Sequence, residues 1–528
     1  MGRVLTNNTS FRYAREATEL VGSRGIGFLP GEDPGDGGGA IAGSPLWKDV
    51  EPNDITTFGS AIDTVSRNPI RRSRGRQKGT ISDLDSAVEV DADITVDAFL
   101  DYIEGFMFAT FSNDDLIFVE SAPLTATDTY TVPSLSVSQA ARLQSDANID
   151  TLLFGTGYLI AGNNGLKTLA TPAASTDTTL TVAENLVDEI PPTNARLEIA
   201  GARLADGEMA LTVAAAVPDV SGRIGTLTFA NVVPTSLGLN VGQIIFVVMP
   251  TAGVRGYARI TALDATTMTL DRMDAALVAD PGTGAVSELR FGQEVRDVAS
   301  DNARFLQRSL QFEADYPGLA ADEIASAYEY ARGNFCSTLA LNLDLSDKGV
   351  FSAAFLGTDT DVPTETRKVV ASVSPADALS PLGTEAFSTV SDFARLRIED
   401  IDEDGLTTDL KSVELTIDNN VSPEKVLNRL GARFINFGNF FVDLSTQLIF
   451  SDGNVLSRIR ENTTVSIDMF LQNGDGVLAF SIPAMTLGDG AKELPTDETV
   501  LLNITGEAFE DPVTGASLNV SFIPAVPA

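Results

Sequence analysis

The sequence of 528 residues contains no histidine and a single cysteine, Cys336. Without histidine, the chain cannot carry a Ser-His-Asp or Cys-His catalytic site, a zincin motif or a zinc site with a histidine ligand. One cysteine excludes an internal disulfide and a four-cysteine zinc site. Carboxylates are so frequent in this chain that no pair of them stands out as the acid and base of a glycosidase. We therefore expect a protein that is not an enzyme.

Long apolar runs and positive charges are also scarce. The longest apolar candidate, Ile244–Met249, suits a buried strand and falls far short of the ~20 residues of a membrane-spanning helix. Lys and Arg total 36 against 73 Asp and Glu, which gives a net charge of −37 and a surface that repels DNA on average. Apolar residues make up 43% of the chain, enough for ordinary cores, and the length suggests roughly two to four domains. We expect no membrane association.

The few basic residues are unevenly placed. Residues 67–78, here called the basic segment, contain no acid and hold six of the 36 basic side chains, namely Arg67, Arg71, Arg72, Arg74, Arg76 and Lys78. This segment could grip nucleic acid, remain a solvated loop, or meet an acidic surface of another copy of the chain. A nucleic-acid site would need basic or aromatic support nearby, and the following residues, ISDLDSAVEVDAD, are acidic. Arginine suits ion pairs at interfaces, so we favour self-association.

One acidic stretch, EDIDEDGLTTD, resembles the opening of an EF-hand calcium loop. Asp400, Asp402 and Asp404 precede Gly405, and Asp409 could serve as a further ligand. The match then fails, because Lys411 stands where a bidentate glutamate is expected, and FARLRI before the loop predicts a strand. We favour an acidic, solvated loop over a bound calcium ion, and we expect no other cofactor.

Regular structure is predicted to begin after an N-terminal arm. Residues 1–44 form that arm, with a short helix over Ser10–Leu20 followed by a stretch rich in Gly and Pro. Residues 45–119 and 300–362 are predicted to form a first β domain, containing strands over Ile55–Val65 and Thr80–Val90 and a helix over Val96–Gly105. In that helix apolar residues recur at helical spacing and Thr95 can cap the first turn.

Residues 120–299 have a different texture, rich in Thr, Ala, Gly and Val, and are predicted to be an insertion. The segments from Leu152 and from Ile244 run in parallel: an apolar strand, a Gly-x-x-Gly pair and a second, alternating strand. The glycine pairs are Gly162 with Gly165 and Gly253 with Gly256. We infer two copies of a small β unit.

The remaining residues, 363–528, repeat the order of the first β domain. Lys411–Ile417 and Phe440–Phe450 are predicted strands, and Asp452–Arg460 a helix. SPEKVL, from Ser422, has the pattern of a helix start. Each half is predicted to end on a β-hairpin, over Thr338–Gly357 and Val500–Ile523. The predicted fold is mainly β: a duplicated β-sandwich or barrel domain with one short helix each, plus the inserted small β domains.

Several of these stretches resemble one known family. PLWKDVEPNDITTFGSAIDTVSRNPI, RQKGTISDLDSAVEVD and EGFMFA resemble the N-terminal part of major tail tube proteins of long flexible-tailed (siphovirus) bacteriophages, chi-like phages in particular. SAYEYARGNFCSTLALNLDLSDKG and VELTIDNNVSPEKVLNRLGARFINFGNFFVDLSTQLIFSD are similar to the tube-domain core, and LGLNVGQIIFVV and GNNGLK to inserted segments. The N-terminal arm carries least of the resemblance.

The resemblance implies a structural virion protein. Copies would form rings, and the rings would stack into a tail tube that also contacts a tape measure protein and a tail terminator. Two tube domains per chain imply trimeric rings with pseudo-sixfold symmetry and the insertion as outer decoration. An acidic lumen would let genomic DNA pass into the host without binding it, since Lys and Arg contacts to phosphates are what hold DNA. The basic segment would lie between rings.

A second class of function fits some of the same features. A calcium-dependent, secreted surface or adhesion protein built of β modules would explain the acidity, the lack of disulfides and the residues Asp400–Asp409. It explains the basic segment and the repeated order of strands and helix less well.

Overall fold

The structure of the protein is a computed structural model. It describes residues 9–15, 47–67, 70, 77–119, 128–192, 195–214, 223–299, 302, 304–306, 309–317, 326–360, 363–367, 378, 380–398, 410–428, 430–450, 454–494, 496, 499–524 and 526. No helix within these residues is both long enough and apolar enough to cross a membrane.

Three groups of elements follow one another along the chain. The first half of the protein consists of β1 (Ser10–Arg15), β2 (Lys48–Val50), β3 (Asp54–Val65), β4 (Thr80–Asp93), α1 (Val96–Phe106) and, after the insertion, β17 (Gln293–Arg296), β18 (Ser309–Tyr316), β19 (Ala327–Asp344), β20 (Val350–Gly357) and β21 (Asp359–Thr360). The second group, residues 117–290, is called the insertion from here on, and relative to the predicted residues 120–299 it includes β5 and leaves out β17. It contains β5 (Ile117–Val119), β6 (Thr129–Thr131), α2 (Val137–Arg142), β7 (Ile149–Thr156), β8 (Gly165–Thr168), β9 (Thr179–Thr181), β10 (Arg196–Leu204), β11 (Met209–Val213), β12 (Arg223–Phe229), β13 (Ile244–Val248), β14 (Arg255–Leu263), β15 (Thr267–Met273) and β16 (Ser287–Arg290). The second half consists of β22 (Phe393–Ile398), β23 (Leu410–Asp418), β24 (Ser422–Lys425), β25 (Ala432–Asn436), β26 (Phe441–Ile449), α3 (Asn454–Glu461), β27 (Thr464–Asn473), β28 (Gly476–Glu493), β29 (Leu501–Ala508) and β30 (Asn519–Ile523).

The described strands form two large sheets. Sixteen strands, from both halves, make one sheet, and ten strands of the insertion make the other. The pairs β24–β25 and β6–β9 stand apart as two-stranded sheets. Each large sheet has its own apolar core, and the core of the sixteen-stranded sheet is shared by the two halves. The predicted fold class, mainly β, is confirmed.

Alternating side chains explain the strands of the first half. In β4, Leu84, Ser86, Val88, Val90 and Ala92 are buried, while most residues between them are more exposed. This period of two places one face of the strand on the core and the other toward solvent. Strand β4 pairs with β3 on one edge and with β20 on the other.

The helix predicted after β4 is present as α1. The hydroxyl oxygen of Thr95 accepts a hydrogen bond from the backbone N–H of Ala98 at 3.2 Å and caps the first turn. Phe99, Ile103 and Phe106 are fully buried and lie on one face at helical spacing. They pack into the core shared by the two halves.

The insertion has its own sheet. Near each of its predicted limits, one strand pairs with a strand from a different part of the chain. Strand β5, which precedes residue 120, pairs with β10 of the insertion. Strand β17, which precedes residue 300, pairs with β30 of the second half. The domain limits at residues 44, 119, 299 and 362 stay predictions.

The two repeated segments of the insertion share a hairpin but differ in the pairing of their third strand. β7 pairs with β8 and β13 pairs with β14, so an antiparallel hairpin stands at each predicted repeat. The third strand of the second repeat, β15, pairs with β14, whereas β9 in the first repeat pairs with β6. The duplication of the insertion and its outer position stay predictions.

The predicted helix over Ser10–Leu20 is wrong where the structure describes it, because Ser10–Arg15 is strand β1. β1 pairs with β18 over all six residues. Tyr13 is buried against Tyr102, with ring centroids 5.2 Å apart, and Arg12 forms an ion pair with Glu313 at 2.9 Å. These partners come from distant parts of the sequence, so tertiary contacts override the local helix pattern.

Two other local predictions are wrong for the same reason. SPEKVL does not start a helix, because Ser422–Lys425 is strand β24, paired with β25. The segment Val500–Ile523 is not a hairpin, because β29 and β30 do not pair with each other and lie one after the other along the same edge of β28. The helix predicted over Asp452–Arg460 is present as α3, and the hairpin over Thr338–Gly357 as β19 and β20.

A buried ion pair fastens the insertion to the second half. Nε of Arg272, in β15, lies 2.7 Å from the carboxylate of Asp468 in β27, and both side chains are almost fully buried. Arg272 also donates to the carbonyl oxygen of Ser466 at 2.9 Å. Beside this pair, the rings of Tyr257 and Phe470 lie 4.8 Å apart. The insertion is therefore packed on the strands of the second half, although it interrupts the first.

Positive charge keeps the buried carboxylate ionised. Burial alone raises the pKa of Asp468, but the charges of Arg272, Arg259 and Arg395 outweigh burial and hold that pKa below its usual value. A buried ion pair of this kind adds little net stability, but loss of one partner leaves a charge without compensation in the interior.

Removal of one partner should therefore be costly. We predict that Arg272→Met lowers the free energy of unfolding by about 3–5 kcal/mol, and that Arg272→Met with Asp468→Leu recovers most of this loss. Arg203→Met, which removes a more exposed ion pair with Glu288, should cost about 0–1 kcal/mol. Urea unfolding monitored by circular dichroism gives all three values. A loss below about 1 kcal/mol for Arg272→Met would contradict a structural role for the pair.

Candidate assembly interface

The two halves of the chain have the same arrangement of strands. In the first half, neighbouring strands run in the order β1, β18, β19, β20, β4, β3, and every neighbouring pair is antiparallel. In the second half the order is β22, β27, β28, β29, β26, β23, again antiparallel throughout. A helix follows β4 in one half and β26 in the other. The sheets thus repeat strand for strand.

Two backbone hydrogen bonds fix which residues are equivalent. The N–H of Ile94, just after β4, donates to the carbonyl oxygen of Gly349, just before β20, at 2.9 Å. The N–H of Phe450, just after β26, donates to the carbonyl oxygen of Val500, just before β29, at the same distance. Ile94 is therefore the counterpart of Phe450, and Gly349 that of Val500.

Among the strands of this repeated order, one pair joins the halves edge to edge. The C-terminal part of β19, from Thr338 to Asp344, pairs antiparallel with β23, from Asp418 back to Ser412. The side chains that face the core along this junction are buried on both strands: Leu339, Leu341 and Leu343 oppose Ile417, Leu415 and Val413. Backbone hydrogen bonds and apolar packing together make the two sheets one continuous surface.

The hairpin of β3 and β4 extends beyond the core. From Ser60 to Val65 every residue of β3 is exposed. Among these and the facing residues of β4, Ile62, Val65 and Ile81 are each more than half exposed. A two-stranded ribbon is marginally stable in water by itself, and exposed apolar side chains on it indicate a contact surface.

A second hairpin lies beside the first. β24 and β25 occupy the connection between β23 and β26, which is the counterpart of the connection between β3 and β4. Nζ of Lys425, in β24, lies 2.6 Å from the carboxylate of Asp83 and 2.5 Å from that of Asp85, both in β4. Hydrogen bonds to these carboxylates raise the pKa of Lys425, and the bond from Lys425 lowers the pKa of Asp83. Leu427 at the tip of this second hairpin is almost fully exposed.

The basic segment connects the ends of the projecting hairpin. Arg67 and Lys78, the first and last of its predicted contact residues, are exposed where β3 ends and before β4 begins. Arg71, Arg72, Arg74 and Arg76 lie outside the described residues. The predicted role of these six side chains stays a prediction.

The predicted calcium ligands Asp400, Asp402, Asp404 and Asp409 also lie outside the described residues. Elsewhere, in the part of the chain that the structure describes, no three acidic or cysteine side chains come together as metal ligands would. Calcium binding is therefore untested, and the geometry that can be described concerns strand edges and hairpins.

The described strands thus form two equivalent sheet units that are joined edge to edge, and each unit bears an exposed hairpin. Residues 6–521 match the family described as phage tail tube protein. The chain belongs to the phage tail tube protein family. No curated protein matches it. The family places this tail tube protein in the virion tail as a structural component and confirms the resemblance at the level of the family.

The sequence did not reveal the junction between the two halves of the tail tube protein. The alternating segments TLALNLDL and KSVELTI predict strands, but nothing in either segment says that they pair with each other. The repeated order of strand, loop, strand and helix was the available signal, because it indicates two equivalent units, but it does not say which of their edges meet.

Proposed function

We propose that copies of this tail tube protein form rings, and that the rings stack into the tube of a long flexible phage tail. The observation that carries the proposal is the junction of β19 with β23, which joins two equivalent halves within one chain. Three chains would supply six such halves, the pseudo-sixfold ring that the resemblance implies. A closed ring of strands also removes edges that would otherwise aggregate.

The excess of negative charge suits a tube that conducts DNA. Proteins hold DNA chiefly through Lys and Arg contacts to phosphates. A chain of net charge −37 can line a lumen with carboxylates instead, so that genomic DNA slides toward the host without binding. A tape measure protein inside the tube and a tail terminator at its end are the further proposed partners. The insertion would lie on the outside.

The hairpin of β3 and β4 is proposed as the contact between rings. Its exposed apolar residues and the exposed Arg67 and Lys78 at its end would meet the next ring, where carboxylates are in excess. The family does not favour the alternative of a calcium-dependent surface protein.

Assembly can be tested by negative-stain electron microscopy of the purified protein at high concentration, with calcium and with a calcium chelator. We expect stacked rings or tubes in both conditions, because strand pairing and ion pairs between copies need no metal. Monomers in both conditions would contradict the proposed assembly. Order that appears only with calcium would instead support the surface-protein function.

The contact between rings can be tested by charge reversal. Replacement of Arg71, Arg72, Arg74 and Arg76 by Glu should abolish tubes while the chain stays folded, because like charges would then face each other across the interface. Circular dichroism and gel filtration check the fold, and microscopy checks the tubes.

Two matched variants control for the change in net charge. The first replaces the same four arginines by Gln, and the second places Glu at four exposed residues of the insertion, Thr171, Ala174, Ser175 and Thr178. Both changes make the net charge more negative by the same amount. The Gln variant should nevertheless weaken tube formation more than the insertion variant. Normal tubes from the Arg→Glu variant would rule out the role proposed for the basic segment.

A further inference from the structure

Among the strand edges of the sixteen-stranded sheet that have no partner strand in the described residues are those of β3 and of the C-terminal part of β28. β3 pairs with β4 along one edge, and no described strand pairs with its other edge. β28 pairs with β29 from Met485 to Glu493, but its pairing with β27 on the opposite edge ends at Thr486. Beyond Thr486, that edge of β28 is unpaired within the part of the chain that the structure describes.

These two edges are the counterparts of the strands that join the halves. β28 occupies in the second half the place of β19 in the first, and β3 occupies the place of β23. Within one chain, the β19 edge of the first half meets the β23 edge of the second. One junction is therefore formed within the chain, between β19 and β23. The two equivalent edges, β28 in the second half and β3 in the first, have no partner strand in the described part of the chain.

We propose that the open edge of β28 pairs with the open edge of β3 in a second copy of this chain, in the register of the internal junction. This inference rests on the proposed function and names the partner surfaces within a ring. The contact is heterologous, so it propagates from chain to chain and closes into a ring when the rotation allows.

The register follows from the equivalence of the halves. Asn342 in β19 pairs with Val350, which pairs with Asp93. Glu493 in β28 pairs with Leu501, which pairs with Ile449. Because Asp93 and Ile449 directly precede the equivalent Ile94 and Phe450, Glu493 is the counterpart of Asn342.

The same reasoning identifies the residue of β3 that would oppose Glu493. Glu89 and Ser445 each lie four residues before Asp93 and Ile449, so they are equivalent. Thr57 pairs with Glu89, and Glu414 pairs with Ser445, which makes Thr57 the counterpart of Glu414. Asn342 pairs with Glu414 inside the chain. Glu493 of one copy should therefore oppose Thr57 of the next.

The side chains along the proposed contact are compatible. Leu494, which is 74% exposed, would oppose the half-buried Ile55, as Leu343 opposes Val413 in the internal junction, where both are buried. The apolar surface of Leu494 would thus be removed from water. No acid opposes an acid from Gly488 to Leu494, since the facing residues of β3 between Ile55 and Ala61 are uncharged. Like charges directly opposite would have opposed pairing.

Cysteine cross-linking tests this register. The chain's own Cys336 is buried and can stay in place. In assembled Thr57→Cys/Glu493→Cys protein, oxidation should give covalent species that end at three chain masses on a non-reducing gel and disappear with reductant, because paired strands bring Cα atoms to within disulfide distance. A mixture of the two single variants should give dimers and nothing larger.

Two control variants and a second test pair make the result specific. Asn342→Cys/Glu414→Cys should form its disulfide within a single chain, because these residues pair in the internal junction. Thr57→Cys/Lys492→Cys should not cross-link, because a shift of one residue places the two side chains on opposite faces of the sheet. Ile55→Cys/Leu494→Cys offers a second pair in the proposed register should the first variant fold poorly.

The outcomes separate this inference from the proposed function. Tubes that form normally while neither the Thr57/Glu493 nor the Ile55/Leu494 pair cross-links would overturn the strand pairing and leave the tube function intact. Failure of the wild-type chain to form rings or tubes would overturn both. Cross-linking of the shifted pair at the same level as Thr57/Glu493 would contradict the register.

Discussion

Backbone hydrogen bonds between β19 and β23 are the interaction on which the rest of this structure depends. Each strand edge presents a row of N–H and C=O groups that must find partners, and an exposed edge invites pairing with another chain. The chain meets this requirement once internally, between its own halves. Because the halves are equivalent, the same pairing is possible between chains, and the proposed contact of β28 with β3 would turn an edge that is an aggregation hazard in a monomer into a specific contact in an assembly.

The insertion constrains how the halves are held. It leaves the first half after α1 and returns before β18, yet its sheet packs on β27 and β28 of the second half. The buried pair of Arg272 and Asp468, with the aromatic contact of Tyr257 and Phe470, fixes that packing. An element that belongs in sequence to one half and in space to the other restricts the movement of the halves relative to each other.

Much of this fold could be predicted from local patterns. The alternation in β4, β23 and β26 and the helical patterns of α1 and α3 placed these elements within a few residues of where they lie, because each has one apolar face on the core. Residues 10–15 and 422–425 were mistaken for helix, since their strand partners, β18 and β25, are not visible in a local window.

For a related reason, the sequence could not predict which distant strands pair with each other. The sequence predicts a hairpin of the last two strands, but both lie along one edge of β28, because a long strand can pair with two shorter ones in succession and the sequence does not say which strands these are. The candidate interface was predicted only from its charge. The edges of β3 and β28 could be recognised only because the two halves have the same strand order in the structure. The charge pattern of residues 67–78 carries no information about these edges.

We infer that neighbouring chains meet as the two halves within one chain do. End-on cryo-electron microscopy of single rings, combined with the mass of a ring, tests this most directly. The account predicts three chain masses per ring and threefold symmetry, with six similar inner sectors that alternate between first and second halves. Six chains per ring, or an open helical filament without closed rings, would contradict it.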